Sequence, residues 1–362
     1  MMDLQTLLSD TLAGHRLTID EAAFLLSTSG RDVYSLFAAA DEMRDRKVGD
    51  TVTFVRNQNI HITNICKNLC GFCGFGRKSV APDAYRFGKD EVQQQIRDAM
   101  NRGVSEICFL SGVHPAFHLR DYLLFMEWTH EIFPDVHIHA FSPDEVDHVA
   151  RQDGMAIPDV ITSLMEGGLG SMQGTAAEIL VDEVRDVICP AKVRTGRWEE
   201  IIREAHRLGL RSSATIMYGS TESFHDRAVH LDRIRRIQDE TNGFTEMVLL
   251  TFIHQKTPLH HQGLVSYGPT GRDDLVTTAV CRLFLDNFDH IQVSWPKIGV
   301  KMSQLGLLAG ADDLSGTMFI DAVTGDAGAD VGEVFLPEEM EHVCADIGRR
   351  LQERTTLYQP VV

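Results

Sequence analysis

From residue 57 onward, short apolar runs alternate with segments of helical period. In the first such segment Val92, Ile96 and Ala99 fall on one helix face. Repeated strand–helix units predict a parallel sheet with helices outside it, and seven or eight units over about 250 residues are typical of an α/β barrel. The runs predicted as strands are Ile60–Ile65, Val104–Leu110, Val136–Phe141, Val160–Leu164, Ser212–Met217, Glu246–Ile253 and His290–Trp295.

The 362 residues exceed one barrel by enough for extensions at both ends. We predict an N-terminal helical extension over residues 1–50, with a helix that starts at Thr18–Glu21. The barrel is predicted over 51–335, and a C-terminal helix and tail over 336–362, with the helix reaching Arg354. A doubly wound open sheet is the alternative, but no GxGxxG motif follows a strand.

The charge and the hydropathy of the sequence limit the kinds of partner and the location that we expect. The formal net charge is −18, and so acidic a surface repels phosphate backbones, which argues against a nucleic-acid partner. The sequence has no apolar run of about 18 residues, so no membrane helix is predicted. The acidic N-terminus does not read as a secretory signal, and we expect a cytoplasmic protein.

Three of the seven cysteines, Cys66, Cys70 and Cys73, lie close together with the spacing CxxxCxxC. An odd number of cysteines with one tight cluster indicates a metal site in a reducing compartment, not a set of disulfides. The cluster follows the first predicted strand, which places it at the carboxyl ends of the strands, where barrels carry their chemistry.

Thiolates are the usual ligands of iron–sulfur clusters. Three cysteines can hold three corners of a [4Fe–4S] cubane, and no fourth cysteine lies nearby to fill the last corner. The alternative is a structural zinc site, which needs a fourth ligand. His61 is a candidate for that ligand, although it lies in the strand run before the cysteines.

A CxxxCxxC motif with Phe72 before its last cysteine, placed after the first strand of a barrel, resembles the radical S-adenosylmethionine superfamily. The resemblance implies that S-adenosylmethionine chelates the open iron of a [4Fe–4S] cluster. One electron from the cluster then cleaves the sulfonium to methionine and a 5′-deoxyadenosyl radical, which abstracts hydrogen from the substrate. The protein would position and shield these reactants.

Further segments resemble the CofH family, the 4-hydroxyphenyl transferases of deazaflavin (FO, coenzyme F420) biosynthesis. The resemblance implies transfer of a 4-hydroxybenzyl group from L-tyrosine to 5-amino-6-(D-ribitylamino)uracil. It also implies a reductant such as ferredoxin or flavodoxin, and a possible partner subunit similar to CofG. The segments are His137–Pro143 (HIHAFSP), Gly168–Leu180 with Gln173 where proline is usual, Ala214–Gly219, Phe252–Gln255 and Arg354–Tyr358.

Two other functions stay open. The related menaquinone-pathway enzymes are aminofutalosine synthase and dehypoxanthine futalosine cyclase, and the segment Leu285–Ile291 is closer to aminofutalosine synthase. A non-catalytic iron–sulfur or zinc-binding protein is the alternative from another class. Departures from the family pattern leave the exact substrate open, and they fall at Leu110, Ser111, Thr251, Pro296 and Asp312.

Eight further residues are candidates for the site. His139 and Tyr218, near the ends of two strands, are predicted to be catalytic. His137 and His139 alternate with apolar residues and should face the same side of their strand. Glu178 and Arg185 lie seven positions apart, as on two turns of one helix. The residues predicted to bind the cofactor are Phe72, Ser111, Gly112, Ser142, Glu178 and Arg185.

Overall fold

The computed structural model describes residues 3–330, 332 and 334–361. The strands are β1 Thr51–Val55, β2 Asn57–Ile60, β3 Glu106–Phe109, β4 His137–Ala140, β5 Ser171–Met172, β6 Ser212–Tyr218, β7 Phe244–Thr251, β8 Ile291–Val293, β9 Asp313–Gly316 and β10 Arg350–Arg354. The helices are α1 Leu4–Leu12, α2 Ile19–Leu26, α3 Asp32–Val48, α4 Lys89–Asn101, α5 Leu119–His130, α6 Pro143–Asp153, α7 Ile157–Glu166, α8 Asp182–Ile188, α9 Thr195–Arg207, α10 Phe224–Thr241, α11 Pro258–His261, α12 Gly271–Phe284, α13 Trp295–Ile298, α14 Val300–Leu308, α15 Ala322–Ala327 and α16 Pro337–Asp346.

The sheet is parallel throughout, and its order is β10-β1-β9-β8-β7-β6-β5-β4-β3-β2. Only Arg56 separates β1 from β2, so the two form one interrupted strand. In the strand order, β1 lies next to one end and β2 lies at the other end. The Arg56 carbonyl accepts from Ser105 N at 2.7 Å, beside β3, and the Val55 carbonyl accepts from Thr317 N at 3.2 Å, beyond β9. The sheet therefore curls into a barrel, which confirms the predicted fold class.

The N-terminal helices pack on the outside of this barrel. Thr18 caps α2 as predicted: its side chain accepts from Glu21 N, and the Glu21 carboxylate accepts from Thr18 N at 2.8 Å. This capping box fixes where the helix begins. The segment is joined to α10 by a hydrogen bond from Arg235 Nη1 to the Leu17 carbonyl at 2.9 Å, and by the Arg16–Asp239 ion pair at 2.7 Å.

Two predicted strands are corrected. The run 160–164 belongs to α7, where Ile157, Val160, Ile161 and Leu164 are all buried. Their spacing is helical, and a short apolar run within such a helix cannot be distinguished from a buried strand by its length alone. The first strand is predicted over 60–65, but β2 spans Asn57–Ile60. Five residues therefore separate β2 from Cys66.

The C-terminal prediction is wrong in its second half. The helix ends at Asp346, and residues Arg350–Arg354 form β10 along β1, with Val55 level with Arg354. The end of the chain is therefore part of the sheet. The barrel also includes short strands that the sequence did not indicate, among them the two residues of β5. No helix among the described residues is long and apolar enough to cross a membrane.

Candidate active site at the carboxyl ends of the strands

A cavity of about 220 Å³ opens at the carboxyl ends of the strands. The three clustered cysteines and Phe72 line one part of it. The ends of β3 to β7 and the segments after them contribute Leu110, Ser111, Gly112, Ser142, Gln173, Glu178, Met217 and Thr251. Lys192, Lys297 and an apolar wall complete it, and the apolar wall consists of Leu250, Phe252, Ile253, Val323 and Ala327.

The loop that carries the cysteines, residues 61–77, is held by backbone hydrogen bonds to distant parts of the chain. Gly71 N donates to the Ile188 carbonyl at 2.8 Å, and Lys67 N donates to the Val113 carbonyl at 2.9 Å. Gly112 allows this loop to approach β3 closely, because a Cβ there would lie 2.5 Å from the Ile65 carbonyl oxygen. The loop is therefore fixed in place by the fold around it.

The donor set fits an iron–sulfur cluster. Cys70 is buried, and Cys66 and Cys73 are half-buried at the cavity. Gly76 N donates to Cys73 Sγ at 3.4 Å, the kind of contact that tunes cluster sulfurs. Burial raises the pKa of the Cys70 and Cys73 thiols, whereas the nearby Lys192 ammonium acts in the opposite direction. Within the described ranges, no group of three or more histidine, cysteine, aspartate or glutamate side chains is arranged to hold a single metal ion.

Besides Glu178, four of the predicted cofactor residues lie at the cavity. Phe72 and Gly112 line it directly. Ser111 also lines it, and its Oγ accepts from Ile62 N at 3.0 Å, which ties the end of β3 to the start of the cysteine loop. Ser142 caps α6 and accepts from Glu145 N at 3.4 Å. The structure thus brings together residues from three separate segments of the sequence.

Glu178 and Arg185 are placed differently from the prediction. Glu178 lines the cavity, but it lies in a loop before α8 with φ of 45°, so the two residues do not share a helix face. Its carboxylate forms an ion pair with Lys192. Arg185 is buried away from the cavity lining, and its guanidinium donates to backbone carbonyls, including that of Ala176 at 2.9 Å. Arg185 therefore holds the Glu178 loop in shape and has no place in the cavity wall.

The two predicted catalytic residues also lie outside the cavity lining. His137 and His139 do share a strand face, since both rings hydrogen-bond Ser171 Oγ, at 2.8 and 2.7 Å. Burial lowers the pKa of His139 to about 4, so the ring is neutral near pH 7. Tyr218 does not line the cavity, and its hydroxyl bonds Asp274 Oδ1 at 2.8 Å and the cavity-lining Thr251 Oγ1 at 2.9 Å.

Sequence reasoning missed several polar residues that line the cavity, among them Gln173, Lys192 and Lys297. Gln173 was noted only as a departure from the family pattern, yet its Nε2 donates to the Phe109 carbonyl at 2.8 Å, at the end of β3. Lys192 follows Cys189-Pro190 in a segment with no clear period. Lys297 gave a usable signal, because it is a lone lysine directly after the apolar run that forms β8.

Known proteins match the whole chain. The model of the radical SAM superfamily matches residues 60–234, and that of the CofH/MqnC C-terminal region matches residues 241–361. The chain is 54% identical to the 5-amino-6-(D-ribitylamino)uracil–L-tyrosine 4-hydroxyphenyl transferase of Methanoculleus marisnigri, over 98% of this chain and 97% of that protein. It is 53% identical to the protein of the same name from Methanosphaerula palustris, over 98% of each chain.

Solved structures with low identity show the same fold. Methylornithine synthase (PylB) superposes with a TM-score of 0.74 at 19% identity, over 95% of this chain and 97% of its own. The hydrogenase maturase HydG superposes with a TM-score of 0.77 at 13% identity, over 98% of this chain and 77% of its own. The family models and the relatives matched over nearly their whole length assign the sequence: the chain belongs to the radical SAM superfamily and, within it, to the family of the 5-amino-6-(D-ribitylamino)uracil–L-tyrosine 4-hydroxyphenyl transferases.

Proposed function

We propose that this chain transfers the 4-hydroxybenzyl group of L-tyrosine to 5-amino-6-(D-ribitylamino)uracil, as the names of its full-length relatives state for them. The observation that carries the proposal is the convergence of Cys66, Cys70 and Cys73 on one cavity at the carboxyl ends of the barrel strands. That position is where barrels carry out their chemistry.

The three cysteines would hold a [4Fe–4S] cluster, and Phe72, Ser111, Gly112, Ser142 and Glu178 would contact S-adenosylmethionine. When bound, the cluster supplies the single electron that splits S-adenosylmethionine. A ferredoxin or flavodoxin is the proposed source of that electron, and a CofG-like subunit is the proposed partner.

The residues of the chain arrange and protect this chemistry. The Lys192–Glu178 ion pair places one positive and one negative group at the cavity surface. Both can bond the charged ends of an amino-acid moiety. Leu110, Met217 and the apolar wall form most of the remaining surface, and an apolar enclosure excludes water from a reactive radical.

The activity is tested with anaerobically reconstituted protein, S-adenosylmethionine, a reductant and candidate substrates. We expect 5′-deoxyadenosine, and loss of tyrosine, only when L-tyrosine is present, and the coupled product only when the ribitylaminouracil is also present. Formation of 5′-deoxyadenosine only with an enolpyruvyl-benzoate or futalosine substrate would replace this proposal by the menaquinone-pathway alternative.

The cluster assignment is tested with Cys70→Ala, and Cys281→Ala serves as the matched control. Cys281 is fully buried in α12, far from the cavity lining, so its loss changes a thiol of the core only. We expect Cys70→Ala to lose the cluster absorbance and all cleavage of S-adenosylmethionine, while Cys281→Ala keeps both. If Cys70→Ala still binds four irons and cleaves S-adenosylmethionine, the ligand assignment is wrong.

A further inference from the structure

We infer that Lys297 binds the carboxylate of the amino-acid substrate. The inference rests on the proposed function, because it takes L-tyrosine as the substrate. It assigns a residue that sets which molecule the site accepts.

The position of Lys297 is fixed by the short helix that carries it. Lys297 is the third residue of α13, directly after β8. Trp295 starts this helix and is fully buried, and its Nε1 donates to the Gly316 carbonyl at 2.8 Å. The helix is thus attached to the end of β9, and the lysine side chain lines the cavity with Cys73 and Leu250.

The ammonium of Lys297 has little to bond inside the protein. Its Nζ donates to Thr324 Oγ1 at 3.4 Å, and it forms no ion pair with any carboxylate in the described part of the chain. Asp321 attracts it only from a distance, and that carboxylate accepts from Thr324 N at 3.2 Å as the cap of α15. Burial lowers the pKa of Lys297, and the charges of Asp321, Cys73 and Glu178 act in the opposite direction.

Lys192, the other lysine of the cavity, is in the opposite situation. It forms an ion pair with Glu178, and the pKa of Lys192 is raised because nearby negative groups outweigh the effect of burial. Lys297 is half-buried at the cavity, and a charge that is partly removed from water without a partner is expected to receive one from a ligand. Lys297 is therefore the lysine of this cavity whose charge has no ionic partner in the described part of the chain.

The chemistry of the substrates selects the anion. L-Tyrosine carries a carboxylate, whereas the ribitylaminouracil carries hydroxyls, amines and a neutral ring. The apolar wall lies in the same cavity as Lys297, through Leu250, Ile253, Val323 and Ala327. A lysine next to an apolar surface matches a molecule with a carboxylate at one end and an aromatic ring at the other. The carboxylate of S-adenosylmethionine is the competing anion, and the test separates the two.

The test measures how the affinity of the reconstituted protein depends on the carboxylate of the ligand. The ligands are L-tyrosine, tyramine, which lacks the carboxylate, and 3-(4-hydroxyphenyl)propionate, which keeps it but lacks the amine. Their binding is measured by equilibrium dialysis with Lys297→Met, Lys297→Arg and the control Lys301→Met, an exposed lysine of α14. The absorbance of the cluster and the affinity for S-adenosylmethionine are recorded for each protein.

We expect the unaltered protein to bind tyrosine about 10- to 100-fold more tightly than tyramine, as one charge-assisted contact allows. Lys297→Met should bind tyrosine and the propionate about 10- to 100-fold more weakly, with tyramine binding and cluster absorbance unchanged. Lys297→Arg should keep part of the preference, and Lys301→Met all of it.

Three outcomes would overturn the inference. Equal losses for tyrosine and tyramine in Lys297→Met would mean that the lysine supports the cavity without reading the carboxylate. A weakened affinity for S-adenosylmethionine with an intact preference for tyrosine would assign the lysine to the other anion. Full retention of the preference would exclude any contact. If the unaltered protein itself binds no tyrosine, the proposed function fails, and the inference fails with it.

Discussion

The two ends of the barrel contain charged side chains that are balanced in different ways. At the carboxyl ends of the strands, Lys297 has no ionic partner among the described residues and faces a cavity. At the amino ends, the base cluster, which we define as Glu106, Glu246, Asp313 and Arg354, is packed inside the protein with its own partners. The cation without an ionic partner therefore lies at the end of the barrel that contains the cavity.

The base cluster is held together by the C-terminal strand. Arg354 Nε donates to Asp313 Oδ2 at 2.6 Å, and its guanidinium lies 3.8 Å from the centre of the Tyr358 ring. Thr356 Oγ1 donates to Glu106 Oε2 at 2.7 Å. Residues 354–358 therefore close the barrel at the amino ends of its strands, and Arg354 supplies the positive charge that the carboxylates there need.

Glu246 is the member of the base cluster that is not fully balanced. Its Oε2 has no hydrogen-bond partner among the residues that the structure describes, and burial raises the pKa of this carboxyl to about 7, more than the Arg354 charge lowers it. A raised pKa lets the group exist as a neutral acid near neutral pH. In the base cluster, an excess negative charge is removed when Glu246 binds a proton. At the other end of the barrel, Lys297 faces the cavity, where a ligand can supply the opposite charge.

The largest effect on stability is expected from Arg354→Met, which removes the positive charge of the base cluster. The change leaves Asp313 buried without its cation, and removal of one partner of a buried pair lowers the free energy of unfolding by about 3–5 kcal/mol. Urea unfolding of the reconstituted protein, followed by circular dichroism, measures this loss.

Arg350→Met is the matched control for that variant. Arg350 lies at the other end of the same strand and is exposed, so its loss should change the free energy of unfolding by less than about 0.5 kcal/mol. If the two variants unfold at the same urea concentration, the C-terminal strand does not stabilise the base through its charge.

A smaller effect, dependent on pH, is expected from Glu246→Gln. The folded-state pKa of about 7 lies above the ordinary value, so the folded protein binds the extra proton and loses stability as the pH rises from about 4.5 to about 7. Glutamine removes this loss. The variant should match the unaltered protein near pH 5 and exceed its free energy of unfolding by up to about 3 kcal/mol near pH 8.

The measurement for Glu246→Gln is a series of urea unfolding curves across this pH range. Glu166→Gln, an exposed change of the same kind at the end of α7, should give the same curves as the unaltered protein. A variant that is less stable than the unaltered protein near pH 8 would show that Glu246 is needed as a carboxylate, and the base would then be balanced by charge alone.

Much of this architecture follows from local sequence signals. The capping box at Thr18 and Glu21 fixes a helix start, and the cysteine spacing fixes a ligand loop, because both depend on neighbours a few residues apart. The balance of charge does not follow, since Arg354 meets Asp313 across 41 positions of the sequence. The isolation of Lys297 depends likewise on which carboxylates the fold places near it, and no spacing in the sequence records that.

The smallest effect is expected from Tyr218→Phe, a change that lies next to the cavity-lining Thr251. The hydroxyl bonds Asp274 and Thr251, and only Thr251 lines the cavity, so the change removes buried hydrogen bonds without touching a ligand. We expect a loss of about 1–2 kcal/mol in the free energy of unfolding, with product formation kept within about threefold. Unfolding curves and rates of 5′-deoxyadenosine formation measure the two. A variant of full stability that forms no product would return Tyr218 to the catalytic residues, because only a group that acts on the reactants can abolish turnover while the surrounding contacts remain intact.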